Sequence, residues 1–89
     1  MASYELLIHL LIRRSAAREL EALPANYRRR IVVRVQHLSA EPRPTGVEKL
    51  SGAEQYRIRQ GDYRVLYEID DAGKTVTIVR IGHRRDVYR

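Results

Sequence analysis

YRIRQGDYRVLYEI, residues 56–69, alternates apolar and polar side chains on both sides of Gly61-Asp62, the pattern of two antiparallel strands joined by a tight turn. A two-residue loop pairs Gln60 with Tyr63, Arg59 with Arg64, Ile58 with Val65, Arg57 with Leu66 and Tyr56 with Tyr67. Tyr56, Ile58, Val65, Tyr67 and Ile69 then share an apolar face suited to packing on helices. Arg57, Arg59 and Arg64 share the opposite face with Leu66 and Glu68. Gly-Asp reverses the order of the strongest hairpin signal, so a loop of three or four residues is the alternative, and it would oppose different cations. Setting Arg59 beside Arg64 puts like charges side by side, where they repel. In a chain of formal net charge +6, that arrangement suits a polyanion.

Working outward, 89 residues form one domain, 1–89, with a thin core. The absence of cysteine removes disulfides, thiolate metal sites and thiol nucleophiles, and fits a cytoplasmic protein. The apolar run Leu6–Ile12 contains His9 and falls far short of the roughly 20 residues a membrane span needs. No basic residue precedes it and Arg13-Arg14 follows it, the reverse of a secretory signal, so no membrane partner is expected. Lys49 and Lys74 are the two lysines among 17 basic residues. Arginine suits phosphate, because its planar fork holds two oxygens and stays charged when partly desolvated. The Arg28-Arg29-Arg30 run reads equally well as a solvated face.

Tyr4–Ile12 reads as a strand apolar on both faces, hence central or covered by helices. Ser15 is placed to cap a short helix whose stripe is Ala16, Ala17, Leu20 and Leu23, ending before Pro24. A second helix, 25–39, sets Tyr27, Ile31, Val35 and Leu38 on one face, with Arg29, Arg30 and Arg34 opposite. EPRPTG, 41–46, is loop chemistry, 47–52 leads into the hairpin, and 71–74 forms the next turn. A strand over 75–81 completes a meander. The expected fold class is α+β, in the order βααβββ: a small, mostly antiparallel sheet packed against a two-helix hairpin.

With that order in place, the leader EKLSG, the block YRIRQGDYRVLYEID and the ending VRIGHRRDVYR resemble the RelE branch of the RelE/ParE toxin superfamily, small basic proteins of type II toxin–antitoxin pairs. The resemblance covers nearly the whole chain and is most specific over 48–89; the interval from Tyr4 to Ser15 is a few residues longer than usual. It implies a RelE-like fold and a toxin that cleaves mRNA in the A site of the 70S ribosome, silenced by an acidic, RelB-like antitoxin. The family's catalytic positions fall on Arg57, Arg59, Arg64, Arg84 and Tyr88; the first two are lysines in the best-known members. His83, where members vary, adjoins Arg84.

RNA carries its own nucleophile, the 2′-hydroxyl, so a ribonuclease must align it with the adjacent phosphorus and stabilise the negative charge that develops. Arg59, Arg64 and Arg84 suit that charge, and Arg57 suits phosphate binding or help with proton transfer. Arginines are poor general bases, which leaves Tyr88 and His83 as acid–base candidates. Tyr88 would also orient a base. Each residue has a plainer use: Tyr88 covering a core edge, Arg57 pairing with a carboxylate such as Glu68, His83 as a phosphate contact or a solvated residue. His9 and His37 are expected to be structural. No His/Asp/Glu cluster has metal-ligand spacing, the glycines form no phosphate-cradling loop, and the serines sit in cap or loop contexts, so no metal, nucleotide cofactor or serine triad is implied. Two other functions stay open: a ParE-like toxin that inhibits DNA gyrase by binding, and a non-catalytic module that binds RNA or an antitoxin.

Overall fold

The computed structural model describes residues 9–50 and 54–87. In chain order the elements are β1 (His9–Ile12), α1 (Arg14–Glu21), α2 (Ala25–His37), β2 (Glu48–Lys49), β3 (Gln55–Gln60), β4 (Tyr63–Asp70) and β5 (Thr75–His83). They form one five-stranded sheet in the order β1-β5-β4-β3-β2, with β1 parallel to β5 and the other pairs antiparallel. The α+β class and the mostly antiparallel sheet agree with the sequence reading, and β2 is an added strand of two residues.

The hairpin register matches the two-residue count at all five pairs, from Gln60↔Tyr63 to Tyr56↔Tyr67. Gly61 has φ +62° and Asp62 does not share the positive φ. That combination belongs to a type II′ turn, whose twist matches the strands and which takes glycine at its first central position. The Gly-Asp order is therefore the one this turn requires.

Tyr56, Ile58, Val65, Tyr67 and Ile69 are all buried, together with Val76, Ile78 and Ile81 of β5. Ile78 and Ile81 share a face at an odd spacing because the register slips at Leu66/Tyr67: Arg80 faces Leu66 and Ile78 faces Tyr67. Val79 is the extra residue of a bulge, which carries β5 on to His83. Ile31 and Val35 of α2, with Leu38 just past its end, close the core as their spacing predicts, while Tyr27 stays 36% exposed. Its ring instead lies 5.0 Å from that of Tyr63.

Three expectations need correction. The described part of the first strand, His9–Ile12, is an edge strand, and Leu11 and Ile12 are exposed; the rest of the predicted strand lies outside the described residues. Ser15 does not cap α1. The Arg13 N–H is already bonded to Ile78 O at 3.0 Å, so the chain passes from sheet to helix with Arg13 at the cap and Ser15 inside the first turn. The second helix ends at His37, two residues early, and residues 38–40 continue as turn.

β1 pairs only with Thr75–Ile78, which leaves the edge of β5 open beyond that point. Glu19 of α1 covers it: Oε1 accepts the Ile81 N–H at 2.9 Å and Oε2 accepts from Arg80 Nε at 3.2 Å. The 41–47 loop is held by Arg43, which donates to both Asp71 carboxylate oxygens, at 3.1 and 3.0 Å, and to the Tyr56 hydroxyl. Tyr67 donates its hydroxyl proton to Pro42 O at 2.6 Å. Burial pushes the Tyr67 phenol up to about 12, and Arg43 holds the Asp71 carboxyl below the usual range.

Candidate functional site

Both helices pack on the face that carries Tyr56, Ile58, Val65 and Tyr67. The pleat therefore gathers Arg57, Arg59 and Arg64 on the other face, joined by Arg80, the register partner of Leu66. In a two-residue hairpin Gln60 and Tyr63 close the turn, so Arg59 and Arg64 form the non-hydrogen-bonded pair whose side chains stand closest.

The two guanidinium groups are treated differently. Arg64 is only 9% exposed; its Nη1 turns back under the loop and donates to Gly61 O and Tyr63 O, both at 3.1 Å. These two bonds compensate part of the cost of drawing a charge out of water. The Arg59 side chain is 63% exposed, and its backbone carbonyl accepts from Arg34 Nη2 at 3.2 Å, tying α2 to the end of β3. Repulsion within the pair is eased by this divergence.

Arg57 is more enclosed, with its side chain 20% exposed, and its guanidinium is ion-paired with Glu48. Glu48 is the register partner of Arg57 on β2, which takes the place of the predicted partner Glu68. Glu68 sits farther along the face, bonded to Arg13 and Gln55. The same Glu48 oxygen lies 3.9 Å from Arg59 Nη2. Hydrogen bonding from Arg57, reinforced by the charges of Arg57, Arg59 and Arg64, holds the Glu48 carboxyl below its ordinary range.

The C-terminal turn folds over the same end of the sheet. The Arg84 N–H donates to Asp62 O at 2.8 Å, joining this turn to the hairpin loop, and the Asp86 and Val87 N–H groups both return to His83 O. Val87 is 1% exposed and sits 3.7 Å from where a side chain on Gly82 would project. Gly82 pairs with Arg64, so Val87 is seated on the arginine face and carries exposed Arg84 to that end. His83 is on the other side: it pairs with Tyr63, its ring meets the Tyr63 ring edge-on at 5.8 Å, and its Nδ1 accepts the Arg85 N–H at 3.2 Å. Its neutral form therefore carries the ring proton on Nε2. Tyr88 lies outside the described residues. His9 and His37 are exposed.

Arg57, Arg59 and Arg64 thus share a face, Arg84 joins them at the turn end, and His83 does not. Sequence reasoning missed Glu48, Arg80 and Val87. A two-residue strand shows no periodicity, and the bulge that sets the register of Arg80 leaves no mark in the apolar alternation. Among the described residues no three His, Asp or Glu side chains group as metal ligands would, and no helix is long and apolar enough to cross a membrane.

Comparison with known proteins places this geometry among relatives. A family model described as the ParE toxin of type II toxin–antitoxin systems, parDE, matches residues 10–88. Toxin RelG of Mycobacterium tuberculosis is 39% identical over 79 residues, spanning 84% of this chain and 88% of the relative. The archaeal RelE–RelB complex of Pyrococcus horikoshii OT3 contains a chain with 30% identity and a TM-score of 0.80, over 92% of this chain and 100% of that one. The RelBE2 toxin–antitoxin complex of M. tuberculosis gives 33% identity and a TM-score of 0.77, over 89% of this chain and 100% of that one.

Proposed function

The chain belongs to the ParE toxin family of type II toxin–antitoxin systems, on its RelE branch, and from that premise we propose that it is a metal-independent endoribonuclease that cleaves mRNA in the A site of the 70S ribosome. The observation that carries this reading is the grouping of Arg57, Arg59 and Arg64 on the helix-free face, with Arg84 tied to the same hairpin loop.

In the proposed reaction the 2′-hydroxyl attacks the adjacent phosphorus and the 5′-oxygen leaves. Arg59 is the most accessible of the sheet arginines for a phosphate, and Arg64, with one nitrogen engaged by the loop, aims the rest of its fork at the charge that develops. Such preorganised donors act where water is partly excluded and need no reorganisation at the moment of reaction. Arg84 extends the cationic surface to the loop end. Arg57 holds phosphate or assists proton transfer, and Tyr88, on the strength of the resemblance, orients a base or protonates the leaving oxygen. For His83 an acid–base role requires reaching around the end of the sheet, since its ring is packed on Tyr63. A site rich in fixed charge and poor in acid–base groups gains from alignment supplied by the ribosome, which implies a cytoplasmic place of work.

The inhibitory partner is an acidic, RelB-like antitoxin; the two solved relatives described above are a RelBE2 toxin–antitoxin complex and a RelE–RelB complex. The description of the matching family model favours a second reading, a ParE-like toxin that inhibits DNA gyrase. A non-catalytic module that binds RNA or an antitoxin is the third. Cleavage mapping in a reconstituted translation reaction separates them: ribosome-dependent cuts that vanish when saturating antitoxin is added support the nuclease, and inhibited supercoiling without cuts supports the gyrase reading. Cleavage that persists in a saturated complex would remove the antitoxin from this account.

A further inference from the structure

Of the carboxylates on the arginine face, Glu48 is the one ion-paired with Arg57, and the proposed reaction leaves it without a task. Glu48 projects from a two-residue edge strand onto the same side as its register partner Arg57. It is ion-paired with Arg57 and lies 3.9 Å from Arg59 Nη2, within the field of Arg64 as well. We propose that the Glu48 carboxylate is a resident stand-in for an RNA phosphate, held on Arg57 and Arg59 until substrate displaces it, so that Glu48 limits how readily this face takes up RNA.

The inference rests on the proposed RNA substrate and concerns occupancy of the site, not the bond-breaking step. A carboxylate and a phosphate offer a guanidinium the same kind of oxygen acceptor, and a phosphate that takes the Nη2 hydrogens of Arg57 and Arg59 must displace the Glu48 oxygen that holds them. Glu48 can yield: its side chain is half-exposed, and β2 ends at Lys49. When it swings out, Arg57 and Arg59 are already oriented toward an oxygen acceptor, so affinity falls by the strength of the internal pair while the geometry is kept. RNA whose other phosphates also gain contacts overcomes that competition. A stray anion does not.

The test measures binding of a 2′-O-methyl RNA oligonucleotide, which lacks the nucleophile and cannot be cut, to wild type, Glu48→Gln and Glu68→Gln over a series of salt concentrations. Glu68 is on the same face but bonded to Arg13 and Gln55, and both variants remove one negative charge. Loss of an exposed ion-pair competitor should tighten binding of Glu48→Gln by about two- to fivefold. The salt slope should change by less than about 0.7, the value of one neutralised phosphate on a single strand, because RNA meets the same arginines in both proteins. Glu68→Gln should show less than half the gain. Glu48→Ala, checked for folding by its melting curve, should shift in the same direction.

Unchanged or weaker binding by Glu48→Gln, or equal tightening by Glu68→Gln, overturns the proposal, as does the absence of binding by every variant. The nuclease reading fails separately: a wild type that binds the methylated oligonucleotide and cuts no mRNA refutes cleavage while the Glu48 comparison stands.

Discussion

Replacing Arg59 with Gln should make the protein more stable and a poorer toxin. Arg59 and Arg64 face each other one pair in from the turn, and like charges directly opposite destabilise a sheet by roughly 0.2–1 kcal/mol. Part of that cost is offset in the wild type by Glu48, but at 3.9 Å from a mostly exposed side chain the contact belongs at the low end of the roughly 0–1 kcal/mol of surface pairs. The net gain on removing the Arg59 charge is then about 0.5 kcal/mol, or about 2–4 °C in Tm for a domain of this size. Melting curves should be recorded in about 10 mM salt, where charges act over about 30 Å, and again in about 1 M, where the range is about 3 Å. The gain should appear in the first and shrink in the second. Cleavage by the same variant should fall by about 10²–10³, the loss expected on removing one preorganised donor. A variant that melts at or below wild type in low salt, or a gain that survives 1 M salt, would refute the claim that this pair is a cost tolerated for a polyanion.

Acid should destabilise the protein through its lowered carboxyls. Asp71, Glu54 and Glu48 titrate below their ordinary values when folded, held down by Arg43, by Tyr56 with Lys49, and by Arg57 respectively. Their contribution is complete above the unfolded values near about 4 and is lost as pH falls through the folded ones. Urea titrations should show stability dropping below about pH 4, and Arg43→Met should flatten part of that drop. At the alkaline end the sign reverses: Tyr67 stays protonated to about 12 in the fold against about 10 unfolded, so its contribution is intact below 10 and lost as pH rises through 12. Tyr67→Phe should remove that dependence and cost about 1 kcal/mol for the bond to Pro42 O. Gly61→Ala should destabilise by about 1–2 kcal/mol, since φ +62° is a left-handed conformation that a Cβ opposes, and should weaken RNA binding by loosening the Arg64 anchor at Gly61 O.

The hairpin was legible because alternation on both sides of Gly61-Asp62 sets the faces and a two-residue loop keeps them in register; the choice of that loop over a longer one came from the positive φ of Gly61. Ile31, Val35 and Leu38 were legible because helix spacing and burial coincide. What escaped depends on partners distant in sequence. Arg43 meets Asp71 28 residues away, and Glu19 meets Arg80 61 residues away; neither pairing leaves a local pattern. The first strand looked central because it is apolar on both sides, yet β1 pairs with β5 alone and shows Leu11 and Ile12 to solvent. Of the site, the sheet arginines follow from the pleat. The positions of Glu48 and His83 followed only from the added strand and from the extension of β5 past its bulge.

The most direct test of the arginine face is primer-extension mapping of an mRNA in a reconstituted translation reaction, with and without ribosomes, using wild type, Arg59→Ala and Arg64→Ala, each shown to be folded by circular dichroism. The account predicts discrete, ribosome-dependent cuts from wild type that both variants lose. Cuts that persist in both folded variants, or a folded wild type that makes none while inhibiting gyrase supercoiling, would contradict it.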